Sequence, residues 1–284
     1  MKKIALLFGI LSLAGTLVDD RVQVTNAHAA ANTKTFNSDP TQKPKGDELT
    51  EQFSQTYPLS QTGRVHIENI NGDVHVSVWD QASVKVDAVK RAYSQKRLSE
   101  VTIDVQSAPD MLKIKTKYPE DRTYDGRNRE DSFASVEYTL TLPRSAQLDG
   151  ADLVNGSLDV EGVQGDVRAN LVNGTVRASG LGGDVKLSTV NGSIQANVAA
   201  LGSAKGVQLN SVNGAIVLIV PAGASADIKA STVHGKITND LGLKVEDGEF
   251  VGHSMNGQVG SGGARIRLNN VNGSIDVKSG SSSF

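Results

Sequence analysis

The chain contains no cysteine, so disulfides, thiolate metal sites and thiol nucleophiles are excluded together. It has almost no net charge: the formal balance is −2, which gives no overall pull toward nucleic acid, whose recognition depends on clustered Lys and Arg. Aromatic residues make up only 4%, and after Tyr138 only Phe250 and Phe284 remain. The C-terminal half therefore lacks the rings on which sugars usually stack. Long apolar runs are missing too, since the longest, Ile4 to Val18, falls short of the roughly 20 residues a membrane helix needs. No amphipathic helix is visible. What is abundant is glycine, 29 residues against 38% hydrophobic residues, a balance that favours many short strands and turns over a thick core.

At the N-terminus, Met1-Lys2-Lys3 leads into the apolar stretch, then polar Asp19-Asp20-Arg21, then Ala27-His28-Ala29. This is the pattern of a secretory signal peptide, residues 1–29, cut after Ala29. Leu13-Ala14-Gly15 opens like a lipoprotein signal, but Thr16 stands where the acylated cysteine would be, which rules out lipid anchoring there. The expectation is an exported protein, periplasmic or at the cell surface, with no stable membrane span in the mature chain. Residues 30–60, with Pro40, Lys43, Pro44, Lys45 and Gly46, predict a polar linker. Residues 61–145 predict an N-terminal β-strand segment carrying a charged loop at 119–131. Residues 146–284 predict the repeats proper, and 61–284 reads as one continuous domain.

The repeats are marked by Asn-Gly corners. They fall at Asn71-Gly72, Asn155-Gly156, Asn173-Gly174, Asn191-Gly192, Asn213-Gly214, Asn256-Gly257 and Asn272-Gly273, with a variant at His234-Gly235. Both residue types tolerate positive φ, so each pair predicts a tight turn. Asn155, Asn173 and Asn191 are 18 apart, with Gln164-Gly165 and Gly182-Gly183 halfway between, which gives a nine-residue unit. Counted from each corner, positions four and six are apolar or small: Leu158 and Val160, Val167 and Ala169, Val176 and Ala178, Val185 and Leu187, Ile194 and Ala196. Period-two alternation turns these inward and sends positions three, five and seven to solvent. Beyond Asn191 the spacing drifts, which insertions at corners would produce. Two architectures fit, an antiparallel meander of hairpins or a β-solenoid. A single open meander would expose one apolar face with no helix to cover it, whereas a coil closes its own inner faces together. The expected fold is therefore all-β: a parallel β-helix-like solenoid of roughly 18–22-residue coils.

Residues bearing chemistry are few. Gly252-His253-Ser254-Met255-Asn256-Gly257 resembles a serine elbow, but its second glycine comes one residue late and no helix is predicted after it. His66 and His75 lie on β-runs without carboxylates at metal-ligand spacing. Asp166 with Asp184, and Arg168 with Lys186, fall one coil apart; the cations beside the carboxylates make a solvated charge ladder a better reading than a calcium clamp or an acid-base pair. No catalytic, cofactor-binding or metal-ligating residue is nominated. The Asn-Gly pairs are read as structural.

Val65-His66-Ile67-Glu68-Asn69-Ile70-Asn71-Gly72-Asp73-Val74, then Val78-Trp79-Asp80, then Pro221-Ala222-Gly223-Ala224-Ser225-Ala226-Asp227-Ile228, together with the Val-Asn-Gly repeats, carry a resemblance. From about Thr50 onward the chain resembles the bacterial exported β-strand-repeat proteins of the putative-adhesin, unknown-function family. That resemblance implies a β-solenoid envelope protein without established catalytic residues. The functional expectation is a non-enzymatic adhesin-like or structural element of the bacterial envelope, meeting an unknown envelope protein or glycan through its polar faces. A carbohydrate-active β-helix lyase or hydrolase, and a regulatory envelope-stress module, are the alternatives.

Overall fold

A computed structural model describes residues 48–119, 133–201, 206–248 and 251–280. The signal pattern at 1–29, residues 30–47 of the expected linker and nearly all of the charged stretch 119–131 lie outside these. The described residues all belong to one compact unit, Pro44–Phe284.

Among them are twenty-one strands and one short helix. The N-terminal group is β1 (Leu49–Pro58), β2 (Arg64–Asn71), β3 (Val74–Trp79), β4 (Ser83–Ala92), α1 (Gln95–Glu100), β5 (Thr102–Ala108), β6 (Met111–Lys117) and β7 (Ala134–Pro143). The middle group is β8 (Gln147–Asn155), β9 (Leu158–Glu161), β10 (Val167–Asn173), β11 (Val176–Leu181), β12 (Val185–Asn191), β13 (Ile194–Val198), β14 (Gly206–Asn213) and β15 (Ile216–Val220). The last group is β16 (Ala226–His234), β17 (Ile237–Asn239), β18 (Val245–Asp247), β19 (His253–Val259), β20 (Ala264–Asn272) and β21 (Ile275–Ser279). β1 lies within the stretch expected to be linker: Phe53 and Tyr57 pack against the core, and the strand pairs along its length with β4.

The strands form two sheets. The first has ten strands in the order β1-β4-β7-β3-β9-β11-β13-β15-β21-β17, and the second eleven, β18-β19-β16-β20-β14-β12-β10-β8-β2-β6-β5. From β8 to β15 the chain visits the sheets alternately, so each nine-residue unit is one strand and one crossing. Val167 and Ala169 in one sheet, and Val176 and Ala178 in the other, are buried in the same apolar cluster, which runs from Leu59 to Val277. Each fully covered Val or Leu contributes about 1.5–3 kcal/mol to that cluster.

This arrangement overturns the expected β-solenoid. The fold is β-sandwich-like, two large mixed sheets face to face. Antiparallel pairs join β1 to β4, β4 to β7, β5 to β6, β16 to β19 and β18 to β19, which a parallel β-helix does not contain. Nor do strands stack in chain order, because β20 inserts between β14 and β16, and β21 between β15 and β17. The irregular spacing after Asn191 therefore reflects, in part, a final strand pair returning to an earlier place. A second sheet laid over the first covers the apolar face of both without any coil.

The corners differ from expectation in their backbone. Among the described residues none other than glycine has positive φ; the corner asparagines are ordinary strand residues whose amides form a ladder. Asn155 Nδ2 donates to Asn71 Oδ1 at 3.0 Å, Asn173 to Asn155 at 2.9 Å, and Asn191, Asn213 and Asn272 each to the preceding rung at 2.8 Å. Glycine follows because stacked corners approach too closely for a side chain: a Cβ on Gly174 would lie 2.0 Å from the Gly156 carbonyl oxygen. Beneath this ladder runs a buried polar row. Thr189, Ser211 and Thr232 donate to the carbonyls of Gly174, Gly192 and Gly273 at 3.1, 3.1 and 2.9 Å, which satisfies oxygens that would otherwise face an apolar interior.

Candidate recognition face

The outer face of the second sheet is built from alternate residues of β10, β12, β14, β20 and β16, whose other residues fill the core. Parallel register turns each sequence position into a row. One row reads Arg168, Lys186, Gln208, Arg267, Lys229. Two residues further along the strands runs Asn170, Ser188, Asn210, Asn269, Ser231, linked by side-chain bonds such as Asn269 Nδ2 to Asn210 Oδ1 at 2.9 Å. A third row is aliphatic, formed by the residues preceding each corner Asn or His; Ile70 and Val233 there are each 42% exposed. Cations, amides and hydroxyls, and branched aliphatics thus lie in adjacent stripes.

The cations are treated differently on the two sheets. On the strands of the first sheet every Lys and Arg has a carboxylate partner: Lys85 with Asp87, Lys90 with Glu51, Arg91 with Glu137, Arg177 with Asp159 and Lys278 with Asp276. On the second sheet Lys113 and Lys115 are held by Glu68, Lys117 by Asp104, and Arg168 by Asp149 and Asp166 at 3.2 and 3.5 Å. Lys186, Arg265, Arg267 and Lys229 have no carboxylate partner within ion-pair distance among the described residues. The nearby acids are engaged with backbone, since Asp184 Oδ1 accepts from Gly206 N at 2.6 Å and Asp227 Oδ2 from Gly263 N at 3.3 Å. Where Gly206 contributes no side chain, the face dips into a shallow groove of about 250 Å³.

The sequence-nominated groups are dispersed. Seven corner pairs, at Asn71, Asn155, Asn173, Asn191, Asn213, Asn272 and His234, share one row, whereas Asn256-Gly257 lies inside β19 opposite Lys229 and Ile228. Asp166 and Asp184 each accept the backbone N–H of the next strand, at 3.0 and 2.6 Å. Ser254 lies in β19 opposite Ser231, and the adjacent His253 pairs instead with Asp247 at 3.2 Å.

The two strand histidines do have carboxylate neighbours, contrary to expectation. His66 Nε2 is 3.4 Å from Glu68 and 3.7 Å from Asp152; His75 lies 3.1 Å from Asp159 and 3.9 Å from Glu137. Those acids come largely from other strands, so local spacing could not reveal them. Arg177 and Arg91 partly neutralise the His75 cluster, which lies open on the sheet surface. Partial burial pushes the Glu68 carboxyl upward, but hydrogen bonds and charge from Lys113 and Lys115 outweigh that and hold it at about 2. A carboxyl held below its ordinary value stabilises the fold fully above that ordinary value, and this contribution fades as pH falls toward the lowered one. Between roughly pH 6 and pH 2.5, wild type should lose more denaturant resistance than Glu68→Gln; equal losses would contradict the assignment.

No helix among the described residues is long and apolar enough to cross a membrane. No family model matches the sequence, and no curated protein is similar to it. Solved structures are. A putative cell adhesion protein from Clostridium sporogenes matches with a TM-score of 0.51 at 14% identity, over 81% of this chain and 100% of its own. A putative adhesin from Bacteroides fragilis matches at 0.40 and 11%, over 81% and 97%. A putative lipid binding protein from Parabacteroides distasonis matches at 0.30 and 11%, over 84% and 98%. The first shares the fold.

Proposed function

We propose that the protein is a non-enzymatic, adhesin-like binding protein of the bacterial envelope, exported by the signal at residues 1–29, which meets its partner through the outer face of the second sheet. The carrying observation is the contrast in pairing: the first sheet neutralises its strand cations internally, while the second leaves four exposed ones together beside a row of amides and hydroxyls. Exposed ion pairs are worth little to stability, so leaving these cations unpaired costs the fold little and keeps them available. The fold likeness to a cell adhesion protein supports the same reading. A lyase or hydrolase fits less well. Glycoside hydrolysis needs two carboxylates across a bound sugar, and the groove is lined chiefly by cations, with Asp184 tied to backbone.

Because the natural chain has no cysteine, a single introduced thiol can carry a blocking polymer at a chosen place. Asn269→Cys, labelled with a polyethylene glycol chain, should abolish retention of the protein on isolated bacterial envelopes. Arg177→Cys, labelled likewise on the other sheet, should retain it. Equal retention of the two conjugates would contradict the choice of face.

A further inference from the structure

Building on that reading, we propose that the partner is an acidic polysaccharide, seated on Lys186, Arg265, Arg267 and Lys229 with its hydroxyls along the Asn and Ser row. Neighbouring strands stand about 4.8 Å apart, and alternate residues on one strand about 6.7 Å. Arg265 and Arg267 therefore project to the same side of β20, while Lys186 lies two strands away on β12 and Lys229 on the adjacent β16. Lys186, Arg267 and Lys229 lie along one row with Gln208 between the first two, Arg265 is offset from that row beside Gly206, and Lys186, Arg265 and Arg267 line the place where the surface dips. Arginine forks match planar carboxylate and tetrahedral acid groups equally, with lysine as a point charge beside them.

Three features select an acidic glycan from other anions. No aromatic residue lies on this face among the described residues, so neither bases nor neutral sugars find a ring to stack on, and attraction has to come from charge. The adjacent Asn170, Asn210 and Asn269 each carry two amide donors and a carbonyl, more hydrogen-bonding capacity than their ladder uses, which suits a ligand rich in hydroxyls. Protein partners favour buried aromatic anchors in pockets, and a shallow groove without them fits an extended polymer chain better.

The test is titration of the full mature chain with oligogalacturonate, a neutral oligosaccharide of equal length, polyglutamate and vesicles containing anionic lipid. Oligogalacturonate should bind, and binding should weaken as salt screens the charges. Polyglutamate should bind about tenfold more weakly, and the neutral sugar and the vesicles not measurably. The combined Lys186→Gln, Arg265→Gln, Arg267→Gln and Lys229→Gln variant, whose changes are all at exposed positions, should lose about tenfold or more in affinity; Lys85→Gln with Lys278→Gln should lose none. Undiminished binding by the fourfold variant, equal binding of polyglutamate, or preference for vesicles overturns the proposal. Retention of the two polymer-labelled proteins on envelopes judges the recognition face separately, since that measurement requires no knowledge of the ligand.

Discussion

Replacing Val185 by aspartate should remove a large part of the protein's stability. Val185 is 2% exposed, between Val167 and Val207 of the adjoining strands, so the new carboxylate would enter an apolar row with no cation to meet it. Leaving an uncompensated charge buried costs about 3–5 kcal/mol, against a total stability of about 5–15 kcal/mol for a typical domain. The denaturation midpoint should fall steeply. Lys186→Ala, one residue along and pointing outward, should change the stability by no more than about 0.5 kcal/mol. Similar midpoints for the two variants would mean the faces of β12 have been assigned the wrong way round.

Gly174→Ala should be nearly as damaging, through a different cause. The added methyl would stand 2.0 Å from the Gly156 carbonyl oxygen, an atom of the backbone that cannot rotate away. Relief would require the two stacked corners to part, stretching the bond from Gly156 N to Asn173 O at 3.0 Å and the amide bond from Asn173 to Asn155 beside it. Overpacking costs typically about 1–3 kcal/mol, and with an immovable obstacle the upper end is expected. Gly206→Ala is the comparison, because its nearest neighbour would be 3.2 Å away, and it should be tolerated. If both glycines accept alanine equally, close backbone approach is not why glycine follows asparagine in this chain.

Local patterning carried much of the fold. The rows Leu158 and Val160, Val167 and Ala169, Val176 and Ala178 are buried because side chains in a strand alternate with period two in any sheet. For the same reason that alternation is silent about partners: Val176 would point inward whether β11 met a parallel or an antiparallel neighbour. The solenoid expectation failed at this step, as did the expectation of a linker over Leu49–Pro58, where polar composition concealed an edge strand with only Leu49, Phe53 and Tyr57 turned toward the core.

The candidate face was half legible. Arg168 and Lys186 are one repeat apart and were recognisable as stacked neighbours. Their different states were not, since Arg168 is paired through Asp149, displaced into reach by an irregularity in the β8–β10 register, while Lys186 has Gln208 beside it. Arg265 and Arg267 could not be joined to that row at all, because β20 reaches β14 only by crossing back over the strands between them in sequence. The asparagines show the converse. Their spacing was plain, but the reason for them lies in amide-to-amide contact across strands and not in the turn preference that Asn-Gly suggests.

The recognition face is tested most directly by lysine reactivity. Protein retained on envelopes, treated briefly with an amine-acylating reagent and compared with free protein, reports which lysines the partner covers. Lys186 and Lys229 should be protected in the bound form, while Lys85 and Lys278 on the first sheet should react as they do in solution. Protection of Lys85 and Lys278 with Lys186 and Lys229 left reactive would place the partner on the opposite sheet and contradict the account.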